Sequence, residues 1–322
     1  MTRTGKSNPW VETTRAVSDS PAVVYLAKLG MGSRRTVQQS MASLAAMIAG
    51  GETDPRKLRW ERLSRADTVN LRSELQERFA PATANKMLSV LRGVLRTARD
   101  MGIMSERAFQ TAASLESIKQ TTQSSLVPVG PKTLEGLFQS CAASPGADGR
   151  RDAALLAVFL SSGLRRSEAS ALDMADYDAK TGLLHIRGER PEYDRLVTLP
   201  KPGRKAVEDW LSIRSTEPGP LFLPVDRGGL IRFRRMTAQA IYSIFRRIAA
   251  RTETPEITLR DLRRAYVTSL IREGKSIEEV RYLVGHASWF TTAAYRSLAE
   301  DMSVEVYSLD KLPYRAHKGG KR

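Results

Sequence analysis

Between Glu116 and Pro131 the chain reads SIKQTTQSSLVPVGP, small and polar residues broken by prolines and carrying no hydrophobic period. Such a stretch has no apolar stripe with which to join a core, so it divides the chain into two parts that must each bury their own apolar surface. A length of 322 residues is enough for two domains. The expected organisation is an N-terminal extension at 1–19, a helical domain at 20–118, a linker at 119–130 and a second domain at 131–322 that ends in a basic tail. No internal repeat is present.

The first part reads as helices throughout. Pro21 after Ser20 suits a first helical position, where its missing N–H leaves nothing unpaired, and the helix continues through AVVYLAKLG to Gly30. Ser33 is read as the cap of RRTVQQSMASLAAMIAGG, in which Val37, Met41, Leu44, Ala45 and Ile48 recur at helical spacing. A third helix is expected over ADTVNLRSELQERF. A fourth, over TANKMLSVLRGVLRTARDMG, turns Met87, Val90 or Leu91, Val94 and Leu95 inward and Lys86, Arg92, Arg96 and Arg99 outward. The result is a small helical bundle with a basic face.

The second part mixes helices and strands. KTLEGLFQSCAAS and the strongly apolar RDAALLAVFLSSG read as helices, the latter stopped by Gly163, and GLRRSEASALDMADYD opens a new helix carrying Glu168 behind an arginine pair. GLLHIRG and RLVTLP read as a strand pair joined by ERPEYD, with a further short strand at PLFLPV, before a helix at TAQAIYSIFRRIAAR. The whole chain is therefore expected to be mainly α with a small β-sheet.

ITLRDLRRAYVTSLIREG carries the most information. Thr258 and Asp261 form a capping box that fixes the helix start, and Leu259, Leu262, Tyr266 and Leu270 then face inward. This leaves Arg260 and Arg263 close together near the positive helix N-terminus, where like charges destabilise unless an anion joins them. A planar guanidinium fork suits phosphate. Gly274 ends this helix, Ser276 and Glu279 cap IEEVRYLV, and Gly285 stops it, so that His286 emerges at a helix end with Tyr295 nine residues on.

Composition agrees with a polyanionic partner. Lys and Arg number 51 against 35 Asp and Glu, giving a net charge of +16, of which each side of residue 120 carries +8. A basic tail alone does not account for that spread. The single cysteine, Cys141, rules out an internal disulfide and reads as a small buried apolar residue. No apolar run approaches membrane-spanning length and the N-terminus lacks an export leader, so a cytoplasmic protein without a membrane partner is expected.

Taken in order, GLRRSE, LRDLRR, LVGH and TTAAYRS resemble the tyrosine recombinase family of phage integrases and Xer-type recombinases. The resemblance reaches most of the chain, because SRRTVQQSMASLAAM and PATANKMLSVLRGVLRTARDMG are similar to that family's N-terminal core-binding (SAM-like) domain. It implies a C-terminal catalytic domain in which Arg165 and Arg263 stabilise the nonbridging phosphate oxygens, Tyr295 attacks phosphorus and His286 donates a hydrogen bond to the phosphate. Glu168 orients Arg165. Because the 3'-phosphotyrosine stores the bond energy, neither ATP nor a metal cofactor is implied. Two departures stand out: Arg260 occupies a position where the family usually has histidine, and the strand hairpin lacks the family's lysine, leaving Arg190 as its nearest cation with Lys180 and Lys201 flanking it. An arginine keeps the charge but does not shuttle protons. The resemblance further implies DNA contacts by Arg34, Arg35, Thr36, Lys86 and Arg92, double-stranded DNA at a specific site as partner, a tetramer on two such sites, and docking of Val304, Val306 and Leu309 on a neighbouring protomer. Two alternatives share this scaffold: a catalytically weak or inactive DNA-binding protein, and a type IB topoisomerase-like nicking-closing enzyme.

Overall fold

The computed structural model describes residues 9–11, 16–51, 53–119, 127–301, 305 and 307–316. Most of the expected N-terminal extension, residues 120–126 of the linker, Val304 and Val306, and the basic tail from 317 lie outside these. The chain divides into two compact units, Met1–Ser124 and Ser125–Arg322.

The first unit is helical: α1 (Pro21–Ala27), α2 (Met31–Ala49), α3 (Arg65–Arg78), α4 (Pro81–Asp100) and α5 (Glu106–Ala113). Met87, Val90, Leu91, Val94 and Leu95 of α4 are buried against Met41, Leu44 and Ala45 of α2, Leu71 and Leu75 of α3, and Trp60. Helix α2 begins a turn earlier than expected, with Gly30 rather than Ser33 at its N-cap. The reason is local: the Arg34 guanidinium donates to the carbonyls of Leu29 and Ala27, satisfying the end of α1 and drawing the two helices into a short turn. Helix α5 was not expected; Ser105 caps it by accepting from the Ala108 amide.

The second unit contains α6 (Pro131–Ala142), α7 (Ala147–Ser162), α8 (Arg166–Ala171), the antiparallel sheet β1 (Tyr177–Asp178), β2 (Leu183–Ile186) and β3 (Arg195–Thr198), then α9 (Lys201–Arg214), α10 (Ala238–Ala249), α11 (Leu259–Arg272), α12 (Ile277–Val284), α13 (Trp289–Ala293) and α14 (Arg296–Glu300). Helix α7 is buried along almost its whole length, as its apolar run requires, and Cys141 of α6 lies in the same core with its thiol pKa raised by burial. One expected element is absent and one unexpected helix is present. PLFLPV forms no strand: Pro220 and Pro224 donate nothing, the Pro220 carbonyl accepts from Arg214 and the Leu221 carbonyl accepts from the Trp210 indole, so only isolated bridges form. Helix α9, hidden in the sequence by Pro202 and Gly203 in its first turn, buries Ala206, Val207 and Trp210. Among the described residues no helix is long and apolar enough to cross a membrane.

Candidate active site

The site is built around the end of α12. Ser276 and Glu279 start this helix with reciprocal hydrogen bonds of 3.2 and 2.8 Å. Gly285 stops it in the left-handed conformation at φ +64°. A helix C-terminus leaves carbonyls unpaired and carries partial negative charge. Here three successive carbonyls each accept from a different arginine: Leu283 from Arg195 Nε at 3.0 Å, Val284 from Arg263 at 2.6 Å, and Gly285 from Arg165 at 2.8 Å. Arginines from α11, from β3 and from the residue preceding α8 thus meet at the point where the chain turns into His286.

Glu168 holds two of them in place. Its carboxylate accepts from the Arg165 amide at 2.7 Å and from Arg165 Nη1 at 2.8 Å, and from Arg195 at 3.1 and 2.9 Å. Burial alone would raise the Glu168 pKa, but the Arg195 and Arg165 guanidiniums outweigh it and hold the carboxyl below its ordinary value. Arg263 donates its other terminal nitrogen to the Gly163 carbonyl at the end of α7. Burial, with the neighbouring charge of Arg165, lowers its pKa to about 10. It stays cationic at neutral pH.

His286 is buried, and burial together with Arg263, Arg165 and Arg195 lowers its pKa to about 4, so the imidazole is neutral at physiological pH. Its Nδ1 lies 2.9 Å from Thr292 Oγ1. Tyr295 sits between α13 and α14, half-buried, with its ring centroid 6.2 Å from that of His286 and the planes 20° apart. The amide of Tyr295 donates to the Thr292 carbonyl at 3.0 Å. Its hydroxyl makes no hydrogen bond among the described residues, while its ring packs on the small cluster of Tyr266, Val267, Leu270, Val280 and Val284.

Arg165, Glu168, Arg263, His286 and Tyr295 therefore come together. Arg260 is exposed on the first turn of α11 and makes no hydrogen bond or ion pair among the described residues. Arg190 is 71% exposed and pairs with Glu192 at 3.6 Å, and neither it nor Lys180 nor Lys201 bonds to the cluster. In the first unit Arg35, Thr36 and Lys86 are exposed, whereas Arg92, expected outward, is half-buried and donates to the Ala113 and Leu115 carbonyls, strapping down the segment after α5.

Sequence reasoning missed Arg195 and Thr292. Arg195 had a readable signal. In the β2–β3 register Leu184 pairs with Val197 and Ile186 with Arg195, so strand alternation places this arginine on the buried face. A buried guanidinium needs acceptors, and Arg195 finds them in the Glu168 carboxylate and the Leu283 carbonyl.

The sequence pattern of the phage integrase family matches residues 130–302. Among curated proteins, tyrosine recombinase XerC of Pseudomonas aeruginosa (strain LESB58) is 35% identical over 176 residues, 54% of this chain and 54% of that one. XerC of Herpetosiphon aurantiacus is 30% identical over 164 residues, 50% of this chain and 52% of that one. The chain thus spans about half the length of these relatives. Among solved structures, the Tn1549 transposon integrase in complex with transposon right end DNA superposes with a TM-score of 0.68 at 15% identity, over 88% of this chain and 95% of that one. A lambda integrase dimer bound to a COC' core site gives 0.61 at 14% identity, over 87% and 75%. The likeness to these structures is one of fold. Because the matched span takes in every member of the arginine, histidine and tyrosine cluster, the chain belongs to the phage integrase family.

Proposed function

We propose that this protein is a site-specific DNA recombinase that cleaves and rejoins strands through a 3'-phosphotyrosine. The observation that carries the reading is the convergence of Arg165, Arg263, His286 and Tyr295 at the end of α12, with Glu168 buried beneath. A phosphodiester bound there faces two guanidiniums, already ordered, that stabilise the charge gained in the five-coordinate transition state. The Tyr295 hydroxyl attacks phosphorus, the bond to the 5' oxygen breaks, and the freed 5'-hydroxyl later reverses the step on the same or another strand. Neutral His286 contributes a hydrogen bond rather than a charge. Arg260, unpaired among the described residues, adds positive charge beside the phosphate without proton transfer, and Arg35, Thr36 and Lys86 of the first unit offer phosphate contacts.

Relatives and neighbours favour this substrate: those of similar sequence are named tyrosine recombinases, the Tn1549 and lambda integrases of similar fold were solved on DNA, and lambda integrase was also solved as a tetramer on a Holliday junction. Double-stranded DNA at a specific site, bound by a tetramer across two sites, follows as part of the proposal. Two observations favour a slower enzyme or an occupancy protein, namely Arg260 in place of histidine and the absence of a lysine from the hairpin. The test is covalent trapping on a randomised pool of nicked duplexes. The expected result is an SDS-resistant adduct that maps to Tyr295 and is lost in Tyr295→Phe, with a common sequence among the trapped DNAs. Sequence-selective binding with no adduct from either protein overturns the catalytic reading, and an adduct on DNA of any sequence moves it to a nicking-closing enzyme.

A further inference from the structure

Thr292 is fully buried on a short helix between the histidine and the tyrosine. Two of its groups are committed to them: Oγ1 lies 2.9 Å from His286 Nδ1, and its carbonyl accepts the Tyr295 amide at 3.0 Å. A threonine in a helix commonly turns its hydroxyl back to the carbonyl four residues earlier. Thr292 does not, since among the described residues the imidazole is the one hydrogen-bond partner of its Oγ1. A buried hydroxyl with a single partner keeps its proton satisfied only by donating to that partner. The Nδ1 lone pair must then accept, which leaves the ring proton on Nε2.

We propose that Thr292 is a positioning residue that fixes His286 in the Nε2–H tautomer and, through its own backbone, holds Tyr295 in register with it. The consequence is specific. A neutral imidazole has one N–H, and with Nδ1 occupied by Thr292 the donor is the nitrogen on the far side of the ring, free for a phosphate oxygen. The near-parallel rings of His286 and Tyr295 then belong to one rigid unit, because the residue that orients the first also anchors the backbone of the second. The effect on strand cleavage rests on the recombinase reading above, while the tautomer does not.

The experiment is nitrogen NMR of the full chain labelled in its imidazoles, at pH 7.5 and without DNA, on a protein with three histidines in which His286→Gln identifies the signal. The expected spectrum shows neutral His286 protonated at Nε2 in the wild type and in Thr292→Ser, and a loss of that preference in Thr292→Val. In adduct trapping, Thr292→Val is expected to slow formation roughly 10- to 100-fold, the effect of removing a hydrogen bond that fixes a functional imidazole, and Thr292→Ser to restore most of it. A wild-type ring protonated at Nδ1 overturns the proposal, as does a folded Thr292→Val whose tautomer and trapping rate match wild type. Should Thr292→Val not fold, the wild-type and Thr292→Ser spectra still decide. Absence of any wild-type adduct, with the Nε2–H tautomer intact, defeats the recombinase reading and leaves the positioning of His286 by Thr292 standing.

Discussion

At the scale of single residues the site is a charge balance around Glu168. Arg195 is fully buried, and its guanidinium touches one carboxylate and one carbonyl. Removing that carboxylate strands a buried cation, so Glu168→Ala is expected to destabilise the protein by about 3–5 kcal/mol, read as a fall in the urea midpoint. His286 makes a second, pH-dependent contribution. Its ordinary pKa of 6.5 falls to about 4 in the fold, first through burial and then through the three arginines. The unfolded chain therefore binds the proton first as pH falls. Stability is complete above pH 6.5 and declines between about 6.5 and 4, by roughly 3 kcal/mol at ~1.4 kcal/mol per pKa unit. Urea unfolding of wild type against His286→Gln across that range checks it: the difference between the two proteins should narrow as the pH falls.

At the scale of elements, the end of α12 is where the site is won or lost. Gly285 adopts φ +64°, and a Cβ placed there would meet Arg195 Nη1 at 2.8 Å. Gly285→Ala therefore combines ~1–2 kcal/mol of backbone strain with displacement of the buried guanidinium. A lower melting temperature is expected together with lost strand cleavage, whereas Gly102→Ala, at φ +74° but with open space around its Cβ, should lower stability alone. The sequence made this region readable because its signals are local: Thr258 with Asp261, Ser276 with Glu279, and the glycine stops all lie within a few residues of the helix ends they define. Arg165, Arg263, His286 and Tyr295 were found by their order along the chain. What escaped depended on partners that no local motif names. Arg195 takes its meaning from a carboxylate 27 residues away, and Thr292 from an imidazole that only a turn of chain brings back to it. PLFLPV misled for the opposite reason: its apolar residues are buried, but its prolines and side-chain partners leave no ladder to join. Arg92 looked like solvated charge because helical phase cannot show that the segment after α5 folds back to meet it.

For the whole molecule, a net charge of +16 divided evenly about residue 120 fits the proposal that both units meet DNA. Not every cation is free to do so. Arg34 and Arg92 hold carbonyls of their own unit, and Arg99 pairs with Asp100 and Glu106. Arg35, Lys86 and Arg260 make no hydrogen bond or ion pair among the described residues, and Arg165 and Arg263 border the proposed phosphate site. Five such groups, at about 0.9 released counterions per phosphate, give a slope of log affinity against log salt between −4 and −5. Affinity for DNA should then fall roughly 500-fold between 50 and 200 mM salt. Arg260→Ala should flatten the slope by about one and weaken binding equally on every sequence, because a phosphate contact carries no base information. Fluorescence anisotropy on a fixed duplex across a salt series measures both. A wild-type slope near −1 would mean that the positive charge is ordinary solvated surface, and the phosphate assignments in both units would fall with it. A slope in the expected range that Arg260→Ala leaves unchanged would remove Arg260 alone, and the histidine it replaces would then have no successor at the phosphate.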